Sequence, residues 1–140
     1  MHVKIELGKR EFRLLLDLVY TGNWVLNSQR GPDRIGEYDA VASKIFAFCR
    51  EAGMPRLSVM DGGTGYPSED YAAGGIHEAI MDYEDTVFFN ILAEELARRD
   101  LQGLDVDGAN KVDLDALTEK YAEEFANNGI DNIVVHGVDD

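Results

Sequence analysis

Cysteine is nearly missing from this chain, and so is any long uninterrupted apolar run. The single cysteine, Cys49, has no second thiol to pair with, so no internal disulfide forms and a reducing cytoplasm is the expected setting. The longest greasy run is cut by Asp17, and no apolar h-region precedes a cleavage site near Met1. The sequence therefore predicts neither a membrane span nor a signal peptide. Positive charge is scarce as well, and unevenly placed. Residues 1–60 carry nine Lys/Arg against seven Asp/Glu (+2), whereas residues 61–140 carry four against twenty (−16), giving a net charge of −14. Such a molecule repels a phosphate backbone, which argues against direct nucleic-acid binding.

Catalytic signatures are missing too. Histidine is limited to His2, His77 and His136, and no Ser-His-Asp, Cys-His, Walker, Rossmann or zinc-ribbon pattern is present. The GGTG run at 62–65 lacks the Lys-Ser/Thr of a phosphate loop. The Asp105-Val106-Asp107-Gly108 run invites comparison with a calcium loop. With Gly108 at the sixth loop position, Gly103 stands first, Asn110 eighth and Leu114 twelfth, and none supplies the group an EF-hand needs there. No metal and no cofactor is expected.

What is present is a single domain's worth of chain, 140 residues with 45% hydrophobic content. Ten of the fifteen residues from Phe12 to Leu26 are large apolar or aromatic side chains, which predicts a nearly buried helix with Phe12, Leu15, Leu16 and Val19 on its main line. Gly22 falls on that line, where a missing side chain would admit another backbone. Gly8 as N-cap would place Glu11 at N3, half of a capping box, because glycine has no capping oxygen.

Further along, Tyr38 to Ala52 reads as a second helix closed by Gly53. Cys49 beside its apolar face reads as a small buried hydrophobe. Leu57–Met60 suggests a brief strand, and residues 61–75, with five glycines, a long connecting loop. Ile76–Leu101 reads as two helices divided at Asp85-Thr86, which resembles an N-cap. A last helix is expected to start at Asp113, carry Leu114, Leu117, Tyr121 and Phe125 as its stripe, and end at Gly129 with Ile130 completing a Schellman cap.

The alternation of Val3, Ile5 and Leu7, and the run Asn132–His136, predict strands at the two ends that pair with each other. If they paired antiparallel, His2 and His136 could meet. The expected class is therefore α+β, mainly α: a compact bundle of about five helices around a buried N-terminal helix, with a small sheet from the N- and C-terminal strands.

Candidate site residues fall into three groups. His77, Glu78 and Asp82 share one helix, with Glu78 and Asp82 at i,i+4, and could hold a cation or position a base in a small metal-dependent hydrolase. The plainer reading is a solvated acidic face near a helix start. Tyr20, Trp24 and Arg30 form an aromatic-basic edge of the type that dominates interface hot spots, or alternatively one that simply closes the core. Glu94, Glu95, Glu123 and Glu124 represent the acidic half.

The leading expectation is a non-enzymatic interaction or regulatory domain that presents an acidic surface to a basic protein partner or to a second copy of itself. Adaptation to a salty cytoplasm accounts for the same acidity, since Lys occurs only five times. The runs EFRLLLDLVYTGNWVLNSQR and IHEAIMDYEDTVFFNILAEELARRDL resemble a small bacterial family without an assigned function. The resemblance covers most of the chain, implies a bacterial cytoplasmic domain and carries over no catalytic residue.

Overall fold

The computed structural model describes residues 1–102 and 109–138, with the backbone alone at 109–112. The Asp105–Gly108 run, where a calcium loop was tested, lies outside the described residues. The chain divides into two compact units, Met1–Ile80 and Met81–Asp140. Among the described residues there are five α-helices and one two-stranded antiparallel sheet, so the mainly helical expectation holds in its coarse form.

The first helix, α1 (Lys9–Asn27), starts as its sequence dictates. The Glu11 carboxylate accepts the Gly8 N–H at 2.9 Å, and Gly8 has no side chain to return the bond. Inside the helix Leu16 is fully buried, worth about 1.5–3 kcal/mol of transfer free energy. The helix is not buried all round. Leu14, Leu18 and Val25 are exposed, as is Gly22, beside which a Cβ would meet nothing within 4 Å. The physical reason is a rotated stripe: Phe12, Leu16, Val19, Tyr20, Trp24 and Asn27 face inward, and apolar side chains occupy the opposite face as well.

Helix α2 (Gly36–Phe46) ends earlier than its pattern suggested, but the chain keeps winding through turns to Gly53. There the Met54 N–H reaches the Cys49 carbonyl and the Gly53 N–H reaches the Arg50 carbonyl, which is the bonding of a Schellman cap. Gly53 supplies the required positive φ of 76°. Cys49 is completely buried, as expected.

The glycine-rich run at 61–75 is folded rather than a loop. After a 3-10 turn at Pro55–Leu57, strand β1 (Ser58–Asp61) pairs antiparallel with β2 (Thr64–Pro67), in the register Val59 opposite Tyr66. Gly62 and Gly63, both with positive φ, make the two-residue turn that this handedness of hairpin favours. A single-turn helix, α3 (Glu69–Ala72), follows, its Tyr71 N–H donating to the Ser68 hydroxyl.

Helix α4 (Ile76–Asp100) is continuous, which overturns the division at Asp85-Thr86. Thr86 does not cap anything: its hydroxyl donates to the Asp82 carbonyl at 2.9 Å, one turn back in the same helix. In the second unit α5 (Ala109–Asn128) begins before Asp113, so Asp113 is not its N-cap. Phe89 of α4 meets Phe125, while Asp100, further along α4, receives a bond from Tyr121, earlier in α5, so the two run antiparallel. Gly129 ends α5 with φ 57° and a single bond from its N–H to the Phe125 carbonyl. That is the simpler αL cap, and Ile130 is exposed rather than packed on it.

Neither end of the described chain forms a strand, so the sheet expected from the two termini is replaced by the β1–β2 hairpin. Val3, Ile5, Val134 and Val135 remain exposed. With no strand at either end, His2 and His136 have no ladder to bring them together.

Candidate functional site

The first unit holds two side-chain constellations that border one cleft. The polar one starts at Asn27, which is fully buried at the end of α1. Its amide donates to the Asn23 side chain at 2.8 Å and to the Ile35 carbonyl at 3.0 Å, and its oxygen accepts the Ile35 N–H at 2.8 Å. The side chain thus imitates a strand partner and ties the 28–35 turn back onto α1. Asn23 in turn donates to Asp39 at 2.9 Å, and Arg34 grips Asp39 with two bonds of 2.6 and 2.7 Å. The hydrogen bonds from Arg34, then from Asn23, hold the Asp39 carboxyl down at about 2.

The aromatic constellation is centred on Tyr71, which is fully buried and edge-on to both Phe46 and Tyr20. Its hydroxyl donates to Asp17 at 2.9 Å, and the Arg13 guanidinium lies over its ring while also bridging Asp17 at 2.7 Å. Burial first, then the bond to Asp17, pushes the Tyr71 phenol above its ordinary value. Tyr20 stacks on Trp24, and its hydroxyl shares a 2.8 Å hydrogen bond with His77 Nε2. His77 also stands edge-on to the Trp24 indole, with ring centres 5.2 Å apart. Burial raises the Tyr20 phenol as well.

Outside these groups lies an open cleft of about 1160 Å³. Small residues of α2, Ala40 and Ser43, and Ala47 just past its end form part of its lining. Trp24 and Tyr20 come from α1, and Tyr66 from the hairpin. Gly65 explains how the hairpin sits on α2: a Cβ there would lie 2.4 Å from the Ala47 nitrogen and 2.7 Å from the Ser43 carbonyl oxygen. Only glycine permits that approach. Phe48, Tyr66 and Lys44 are exposed members of the lining.

The site residues expected from sequence are placed as follows. Tyr20 and Trp24 come together as an edge of the cleft, half-buried and packed on the core. Arg30 does not join them. It closes the end of α1, donating to the Leu26 carbonyl and pairing with Asp33 at 3.0 Å. His77 is taken up by Tyr20 and Trp24, while Glu78 and Asp82 are exposed. Among the described residues no three His, Cys, Asp or Glu side chains gather as a metal site.

In the second unit Glu94 pairs with Arg98 at 2.7 Å, and Glu124 accepts bonds from Asn128 and Asn132. Glu95 and Glu123 are exposed. Cys49 offers no nucleophile: it is enclosed, and burial pushes its thiol up.

Tyr66 and Lys44 escaped the reading of the sequence, and Phe48, which its spacing puts on the apolar face of the second helix, is exposed. The signal for Tyr66 was available in Asp61-Gly62-Gly63-Thr64, two turn glycines between β-forming runs, which predicts a hairpin and therefore a second wall. Among the described residues no helix is long and apolar enough to cross a membrane. No protein family, curated relative or solved structure was found to match this chain.

Proposed function

We propose that this chain is a non-enzymatic interaction module, and that the cleft of its first unit receives an apolar segment of a protein partner. One observation carries the reading. Three groups able to do chemistry in this unit are committed to structural bonds, His77 to Tyr20, Tyr71 to Asp17 and Asp39 to Arg34, whereas Trp24, Phe48 and Tyr66 border open space. Aromatic side chains around a concave surface are the composition of an interface anchor site. The acidic excess of residues 61–140 supplies the second half of the reading, since it draws a partner of opposite charge and speeds the encounter. The partner is accordingly apolar in the segment that enters the cleft and net basic as a whole. A cytoplasmic setting suits a chain whose lone thiol is buried and unpaired.

Selection of binders from a random peptide library tests this. Selected peptides should share an apolar or aromatic anchor and be net basic as a whole. Their association rate should fall in moderate salt and on exchanging Glu94, Glu95, Glu123 and Glu124 for Gln, while the fold stays intact. Peptides with no basic preference, or rates indifferent to salt and to these substitutions, would remove the acidic half of the proposal. The hydrolase alternative built on His77, Glu78 and Asp82 has no observation in its favour. Metal titration would revive it if a divalent cation raised the melting temperature in a saturable way.

A further inference from the structure

The solvent side of α1 carries a pattern that the cleft does not use. Past Glu11, every exposed residue of this helix is uncharged: Leu14, Leu18, Gly22, Val25 and Leu26. Leu18 and Val25 are 71% and 73% accessible, and nothing lies within 4 Å of the place where a Gly22 Cβ would be. An uncharged apolar stripe is out of place on a chain of net charge −14 unless something covers it.

We infer that this stripe is a self-association surface, on which the α1 helix of a second copy packs antiparallel about a two-fold axis between Leu18 and Gly22. Three features select a second copy. The first is self-complementarity. A two-fold contact must match residue i with j and j with i. An axis at that point sets Leu18 of each copy over Gly22 of the other, a knob over a gap that lets the helices approach, and sets Leu14 opposite Leu26.

Charge is the second feature. Two copies of an acidic chain repel each other unless they meet where acids are missing, and α1 belongs to the part that carries +2 rather than −16. Third, the ends agree. Arg10 is exposed at the start of α1, and at the far end Arg30, which donates to the Leu26 carbonyl, has its charge offset by Asp33. Antiparallel packing brings the Arg10 end of one helix to the negative end of the other. A single helix pair falls at the small end of specific interfaces, roughly 1,200 Å² in total, so the dimer is reversible.

Sedimentation of the full chain over a micromolar-to-millimolar dilution series tests this independently of the cleft. The chain should pass from monomer to dimer. Leu18→Glu and Gly22→Leu should each weaken the association about tenfold or more, while the dilute monomer melts no lower than the parent chain in either variant, because both positions are exposed in it and Gly22→Leu adds helix propensity. Val59→Glu, on the exposed side of β1, should leave the association unchanged. A monomer at every concentration would overturn the inference, as would a dimer that survives both α1 substitutions.

Discussion

Gly65 and Ala47 are packed so closely that a methyl group on the first would stand 2.4 Å from the backbone nitrogen of the second. The neighbour is main chain inside a helical turn, so it cannot swing aside as a flexible side chain would. Gly65→Ala should therefore destabilise the first unit by about 1–3 kcal/mol through overpacking. Urea denaturation measures it directly. An unchanged midpoint would mean that the hairpin does not rest on α2 in solution.

The Asn27–Asn23–Asp39–Arg34 chain makes two linked predictions. Removing the buried amide with Asn27→Ala leaves the Ile35 N–H and carbonyl without these partners, at a cost of about 1–3 kcal/mol. The pH dependence follows from Asp39, whose carboxyl is lowered from 3.8 to about 2 in the folded chain. A lowered acid stabilises the fold above its unfolded value, and that contribution fades as pH falls through the interval from about 4 to about 2. Asp39→Asn should flatten the stability profile in that interval and leave its slope near neutrality unchanged. Equal slopes in both proteins below pH 4 would show that Arg34 and Asp39 do not hold each other in solution.

Gly22 provides a test with the opposite sign. It lies in the interior of α1, its φ is negative and no atom crowds it, so it contributes only backbone freedom to the unfolded chain. In dilute protein Gly22→Ala should raise stability by about 0.5–1 kcal/mol. Thermal melting at low concentration checks this, and a lowered midpoint would show that α1 is covered there even in the monomer.

Much of the fold was legible in the residues. Leu16, Cys49 and the stripe Leu114, Leu117, Tyr121 and Phe125 were assigned to buried or half-buried positions from periodicity, and the structure puts them there. Gly53 and Gly129 were recognised as helix stops because a left-handed residue after an apolar run has few other uses. The misreadings have physical causes. α1 is apolar on two faces, so a count of greasy residues could not separate the face that packs inward from the face left open. Asp85-Thr86 has the composition of a cap, yet Thr86 satisfies its hydroxyl within the helix, and helix formers on both sides carry the winding through. The terminal segments alternate like strands, but alternation specifies a strand only where a partner edge exists.

The site was half legible for the same kind of reason. Tyr20 and Trp24 were singled out by residue type and share one helix, so local spacing was enough. Their meeting with His77 and the opposing wall at Tyr66 depend on contacts between distant parts of the chain, which periodicity does not encode.

Trp24 is the chain's one tryptophan and borders the proposed docking cleft, so its emission reports on the edge of that cleft with no second tryptophan to obscure it. The most direct measurement is the Trp24 emission spectrum during titration with a tryptophan-free peptide selected for binding. The account predicts a saturable shift of the emission at the concentration where binding is seen independently, and a weaker affinity in Tyr66→Ala. A peptide that binds with full affinity while the Trp24 spectrum stays unchanged would contradict it.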